Sequence, residues 1–193
     1  MSDETIHLRS LVLDQLGDMP VPNDLSGWAE KLGMLLGHWF ERAISTEYNL
    51  DQDMADLYFA VAFCDNDEIQ IMLNKIGAAK VNIERIELSP AVQLIRLHDQ
   101  LYNQMVVVNS LDALLNALDS VETFTNRYFP GRLGEVAMAV IYGVEQLCRN
   151  QEIEPDDMFA LADKERKLVS QAADKPERSA DVIPIDRGRK RPK

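Results

Sequence analysis

The sequence has few of the features that mark secreted or membrane-spanning proteins. It contains two cysteines in 193 residues, Cys64 and Cys148, and they do not form a CxxC motif. Its longest apolar run, residues 57–64, is far shorter than the roughly 20 residues that cross a bilayer. The N-terminus, Met1-Ser2-Asp3-Glu4, is acidic and has no long apolar run behind it, unlike a signal peptide. We therefore expect a cytoplasmic protein whose two cysteines are buried, reduced thiols.

The sequence also lacks the motifs of several common enzyme classes. Its nine glycines are scattered and form no phosphate-binding loop, and no G-x-S-x-G elbow is present. None of the three histidines (His7, His38 and His98) has a second histidine or a cysteine three or four positions away. A zinc site is therefore not expected. No complete catalytic constellation can be assembled from these residues.

Charge divides the chain into two parts. Four acidic and seven basic residues fall in 174–193, so this tail has a net charge of +3 and the remaining 173 residues have −15, which together give the chain's −12. Five of the tail's bases lie among the last seven residues. Acidic surfaces repel phosphates, so the body is not expected to bind nucleic acid directly. We predict an acidic α-helical domain over 1–173 and a disordered basic tail over 174–193.

Nearly every segment of the body carries the 3.6-residue period of an amphipathic helix, and no run alternates as a strand would. The pattern predicts an all-α bundle of about eight helices with short connectors. Capping residues place helix starts at Asp65, Ser89 and Ser110, and the apolar period places two others near Asp24 and Asp51. The predicted helices cover about 3–16, 24–45, 51–64, 65–87, 90–108, 110–128, 133–150 and 155–172.

Two of these helices carry further expectations. Residues 57–64 and the segment around Val140 are the most apolar, which predicts that they form the central pair of the bundle. The helix over 65–87 has apolar residues at alternating steps of three and four, with Gly77 near its middle. That stripe predicts one long helix that is locally weakened at the glycine.

Acidic clusters are the remaining candidates for chemistry. Asp53 and Asp56 are followed by an apolar helix, and the stretch resembles the E-x-x-D helix of the all-α, MazG-like nucleoside triphosphate pyrophosphatases. In that family a second helix supplies further carboxylates. Here the preceding helix has Lys31, Met34 and Gly37 at those positions.

A second stretch resembles the same family. Asp119-x-x-Glu122 is followed thirteen residues later by Glu135, with Met138 where a final acid would be wanted. The resemblance implies that these carboxylates hold Mg²⁺ against a triphosphate. The alternative is that all of these acids lie on solvated helix faces and bind no metal.

The tail carries an apolar patch next to its bases. Val182-Ile183-Pro184-Ile185 is extended by its proline and could dock on a partner, while the bases after it steer the encounter. The same bases could contact nucleic acid or an anionic surface, or fold back on the acidic body. The candidate partner-binding residues are Val182, Ile183, Ile185, Arg187, Arg189, Lys190 and Arg191.

These observations predict a non-enzymatic, cytoplasmic interaction or regulatory protein that binds a protein partner and needs no cofactor. A homo-oligomer remains open at this stage. The alternative is a Mg²⁺-dependent pyrophosphatase with a degenerate metal motif, using Asp53 and Asp56, or Asp119, Glu122 and Glu135.

Overall fold

The structure, a computed structural model, describes residues 6–17, 19–77 and 81–173. Within these residues it contains nine α-helices and no strand, which confirms the predicted all-α bundle. None of the described helices combines the length and apolar character that a bilayer crossing requires. The helices are α1 (Leu8–Leu16), α2 (Leu25–Glu47), α3 (Gln52–Phe63), α4 (Asn66–Ile76), α5 (Ile83–Glu87), α6 (Pro90–Val106), α7 (Leu111–Tyr128), α8 (Leu133–Cys148) and α9 (Pro155–Ala173).

The predicted caps Asp65, Ser89 and Ser110 begin their helices as expected, and Asp24 and Asp51 cap the two helices predicted to start there. Asp24, Asp51, Asp65, Ser89 and Ser110 each accept a hydrogen bond from a backbone N–H two or three residues further along. A side-chain oxygen at this position satisfies one of the N–H groups that a helix leaves unpaired in its first turn. Five helix starts are thus set by signals within three residues of the boundary.

The expectation of one long helix over 65–87 is wrong. α4 ends at Ile76 because Gly77 adopts φ +97°, a backbone conformation that ends a helix and that glycine reaches without steric cost. The chain then begins a new helix, α5, where the Asn82 side chain accepts a hydrogen bond from the Arg85 N–H. The apolar stripe therefore continues across a break instead of along a single helix.

The two most apolar helices do not form the expected pair, although the one around Val140 is central. α8 packs against α1, α2, α7 and α9, whereas α3 packs against α4, α5 and α6. Leu57 and Val61 are buried, but Phe63 at the end of the same apolar run is 50% exposed. An apolar run can therefore serve both the core and a surface, and its burial depends on where the helix sits in the bundle.

An aromatic cluster fills the core beside α2. Phe40 is 2% exposed, and its ring packs edge-on against Trp39 and Phe124 with centroids 5.1 and 5.0 Å apart. Phe129 lies 6.0 Å from the same ring, and His98 stacks on it at 6.3 Å. These rings join α2, α6, α7 and the α7–α8 connection. Edge-to-face pairs add to the free energy of burial, so the cluster anchors the centre.

One cysteine departs from expectation. Cys148 is partly buried, but Cys64 is exposed. It is the residue that ends α3, in a left-handed conformation with φ 57°. The prediction of two buried thiols is therefore wrong for Cys64.

α2 and α6 approach each other closely at Gly33. A β-carbon added there would lie 2.9 Å from the Cβ of Met105 on α6. Gly37, one turn further along α2, has open space instead, since no side chain and no other helix of the described residues comes within 4 Å of a β-carbon added at that position, its two chain neighbours aside. The two glycines therefore differ in environment although they share one helix.

Alanine at these two glycines should change stability in opposite directions. We expect Gly33→Ala to lower the free energy of unfolding by roughly 1–3 kcal/mol, because the new methyl group overpacks the α2–α6 contact. Gly37→Ala should raise it by up to about 1 kcal/mol, since alanine is the better helix former and has room. Urea unfolding of both variants measures the difference, and shifts of the same sign would contradict it.

Candidate functional site

The first predicted acidic pair lies at the start of α3. Asp53 forms an ion pair with Lys75 of α4. Asp56 accepts a hydrogen bond of 2.7 Å from the side-chain amide of Gln52. Both aspartates thus have partners from this chain, and Asp53 links α3 to its packing neighbour α4.

The second pair lies on α7 and holds the N-terminal helix. Asp119 accepts a hydrogen bond of 2.9 Å from Arg9. Glu122 accepts one of 3.0 Å from the backbone N–H of Leu8, the first residue of α1, and lies 3.1 Å from Nδ1 of His7. Because His7 itself provides no side-chain cap, Glu122 supplies one from a distant part of the chain. The role of this carboxylate is capping.

Glu135 is buried between two arginines. It is 4% exposed and accepts two hydrogen bonds from each guanidinium, at 3.1 and 2.8 Å from Arg132 and at 3.0 and 2.8 Å from Arg166. Burial raises the pKa of Glu135, but the hydrogen bonds from Arg166 and Arg132 outweigh it and lower the pKa to about 2. This arrangement ties the start of α8 to α9.

The structure thus does not bring the predicted carboxylates together around one point. Within the described residues, no group of three histidine, cysteine, aspartate or glutamate side chains is arranged to hold a metal ion. The predicted Mg²⁺ site has no structural support in that part of the chain. The seven predicted partner-binding residues of the tail, Val182 to Arg191, lie outside the described residues, as does the predicted disorder of 174–193.

The residues at the positions where the pyrophosphatase motif has acids line grooves at the surface instead. Lys31, Met34 and Gly37 line two adjoining grooves along α2. Both grooves are bordered by Met34 and by His38, one turn apart on the outer side of the helix. Met34 is 51% exposed. We call the two grooves together with Met34 and His38 the α2 face.

The first groove, of about 300 Å³, runs between α2, α3 and α6. We call it the His98 groove. Its apolar lining includes Met34, Phe59, Phe63 and Tyr102. Phe63, which the sequence placed in the core, is half exposed at its edge. Aromatic and methionine side chains at a surface are enriched in protein-binding sites.

The second groove, of about 520 Å³, lies between α2 and the α8–α9 connection. Lys31, Met34 and Leu35 form its α2 side, and residues 150–155 form the other. The connection is held to α8 by a hydrogen bond of 3.1 Å from the Glu154 N–H to the hydroxyl of Tyr142. The sequence carried one signal for this surface. Met34 is apolar but lies off the apolar face of α2 that Leu32, Leu35 and Trp39 form.

His98 lies at the floor of the first groove. It is 7% exposed, and among the described residues neither ring nitrogen has a hydrogen-bond partner. Its ring packs between Phe40 and Phe59, with centroids 6.3 and 6.0 Å away. Burial lowers the pKa of His98 more than the neighbouring Asp99 raises it, so the ring is neutral at neutral pH. A buried polar group without a hydrogen-bond partner lowers the stability of the fold, so His98 calls for an explanation beyond packing.

Two carboxylates flank the same groove. Glu41 lies 3.7 Å from Nδ1 of His38 on the next turn of α2, and burial raises its pKa more than His38 lowers it. Asp99 accepts a hydrogen bond of 3.0 Å from Asn103. The groove therefore combines an apolar wall, a neutral buried imidazole and two acidic groups.

Comparisons with known protein families, with curated proteins and with solved structures found no match for this chain.

Proposed function

We propose that this protein is a non-enzymatic interaction or regulatory protein and that the α2 face binds a protein partner. The observation that carries the proposal is the pair of adjoining grooves that share Met34 and His38. Met34 and Phe63 are each half exposed, and the partly buried Ile153 continues the apolar lining into the second groove. Segments with spaced apolar anchors dock into such grooves.

Charge indicates the chemistry of the partner. The His98 groove is flanked by Glu41 and Asp99, and the second groove by Glu152 and Glu154, with Lys31 as the base among them. The chain as a whole carries −12. Complementary charge speeds encounter and selects partners, so we propose a partner segment with apolar anchors and basic residues beside them.

The contacts that the predicted acids make favour binding over catalysis. Asp53, Asp119 and Glu135 are engaged by lysine or arginine, and Glu122 caps a helix. Groups held in this way stabilise the fold.

We further propose that the protein works in a reducing compartment such as the cytoplasm, since its exposed Cys64 is a free thiol.

Met34→Asp is expected to abolish partner binding. Aspartate removes the apolar side chain that both grooves share and puts a strongly hydrated group in its place, while the helix surface tolerates it because Met34 is half exposed. Affinity capture from the source cells with wild-type protein, Met34→Asp and a version ending at Ala173 measures the effect. Proteins retained by wild type should be lost with Met34→Asp. Loss of the same proteins with the version ending at Ala173 would show that the tail makes a second contact with the partner.

Val107→Asp is the matched control. Val107 is 74% exposed in the α6–α7 connection and borders neither groove. We expect this variant to retain the same partners as wild type. If Met34→Asp retains them as well, the α2 face is not the docking surface.

A further inference from the structure

The buried imidazole of His98 borders a small cavity and the His98 groove. The cavity on the inner side of His98 measures about 10 Å³, at the lower limit for holding one water molecule. On the other side the ring borders the His98 groove. A neutral imidazole offers one nitrogen that accepts and one that donates. The ring thus has an unused acceptor and borders a groove large enough for a ligand.

The rest of the lining matches a cation with an apolar stem. Within the described residues, neither Glu41 nor Asp99 forms an ion pair with a lysine or arginine of this chain. The buried Glu135, by contrast, binds two arginines. Aromatic rings attract cations over their faces, and Phe59, Phe63 and Tyr102 all line the same groove.

We propose that the His98 groove binds an arginine side chain of the partner protein, a proposal that rests on the docking function of the α2 face. The planar guanidinium stacks on aromatic rings and carries five N–H donors. It can donate to the carboxylates of Glu41 and Asp99 and to the accepting nitrogen of His98 together. A lysine ammonium is a compact, strongly hydrated charge and matches this lining less well.

Access to His98 requires a small movement. Both ring nitrogens are closed to solvent in the unbound protein. Met34 stands at the edge of the groove and is half exposed. Its unbranched side chain has three rotatable bonds, so it can swing aside without disturbing the core. Binding should therefore move Met34 and His98 together.

The test uses the full chain and a pair of probes, N-acetylarginine amide and N-acetylcitrulline amide, which differ in the positive charge of the terminal group. NMR follows the Met34 methyl group and the ring carbon-bound protons of His98. We expect saturable shifts of both signals with the arginine probe. The neutral probe should bind about tenfold more weakly, the loss expected when one charge-assisted hydrogen bond becomes neutral.

Two variants and a control locate the site. Glu41→Gln should weaken arginine binding by roughly three- to tenfold, and Gly37→Leu should abolish it because the new side chain enters open space in the groove. Leucine is a good helix former, so Gly37→Leu should remain folded. Glu145→Gln, on α8 and outside both grooves, should leave binding unchanged.

Equal affinity for both probes, or arginine binding that survives Gly37→Leu, would overturn the arginine site. Probe binding tests the arginine site and partner capture tests the α2 face, so failure of one proposal can be told from failure of the other. Partner capture that is lost with Met34→Asp, combined with equal probe affinities, keeps the face and rejects arginine as its ligand. Arginine binding that depends on Glu41, combined with unchanged capture by Met34→Asp, keeps the site and rejects the face as the docking surface.

Discussion

Glu135→Gln is expected to lower the free energy of unfolding by roughly 2–4 kcal/mol at neutral pH. The pKa of this carboxyl falls from its usual 4.5 to about 2, and each unit corresponds to about 1.4 kcal/mol. Its side chain is 5% exposed, but Arg166 is 46% exposed, which places the loss below that of a fully buried pair. Glutamine keeps the shape of the side chain but leaves Arg132 without an anion and Arg166 with only the more distant carboxylate of Asp163, 3.9 Å away.

The effect of Glu135→Gln should depend on pH in a defined direction. Because the folded-state pKa lies below the unfolded one, the stabilisation by Glu135 is fully present above about pH 4.5 and is lost as the pH falls towards about 2. Wild type and variant should therefore converge in stability in acid. Urea unfolding at neutral pH and at several values below 4.5 measures the convergence.

Glu145→Gln is the matched control on the same helix. Glu145 pairs with Arg149 one turn away, and its side chain is 41% exposed. Exposed pairs of this kind contribute less than about 1 kcal/mol. If the two variants lose similar amounts of stability, the buried charge cluster does not hold α8 to α9 in the way proposed.

Phe40→Ala is expected to lower the free energy of unfolding by about 3–5 kcal/mol, the usual loss for a large aromatic residue removed from a core. Phe40 is 2% exposed and packs against the rings of Trp39, Phe124, Phe129 and His98. Removing it leaves a cavity in the centre of the bundle. Thermal and urea unfolding measure the loss.

Phe63→Ala provides the comparison for the aromatic core. Phe63 is half exposed at the edge of the His98 groove, so its removal should cost less than about 1.5 kcal/mol. The same substitution therefore separates a residue that stabilises the core from one that forms the α2 face. Similar losses for both variants would show that Phe63 is part of the core.

Helix starts were predictable from the sequence because their signals are local. An aspartate or serine bonds to an N–H at most three residues away, so Asp51, Asp65 and Ser110 act in the same way in almost any fold. The break at Gly77 was harder to predict. The apolar stripe that continues past it favours a helix, and the backbone conformation of one glycine decided otherwise.

The roles of the acidic residues could not be predicted from spacing. Asp119 and Glu122 are three apart and share a helix face, as a metal motif would require. That spacing is equally suited to holding the N-terminal helix, and the choice depends on α1 packing against α7 from more than a hundred residues away. The spacing of carboxylates within one helix does not show which basic side chains a distant helix places next to them.

The sequence by itself determined the helical class and most helix boundaries, because periodicity and capping act over a few residues. Tertiary structure alone decided which helices pack against one another, which acids are neutralised and where apolar side chains remain exposed. Met34 and Phe63 show the reason. Each lies in an apolar or amphipathic helix, and whether it is buried depends on the packing of α2, α3 and α6 against one another, which no short stretch of sequence specifies.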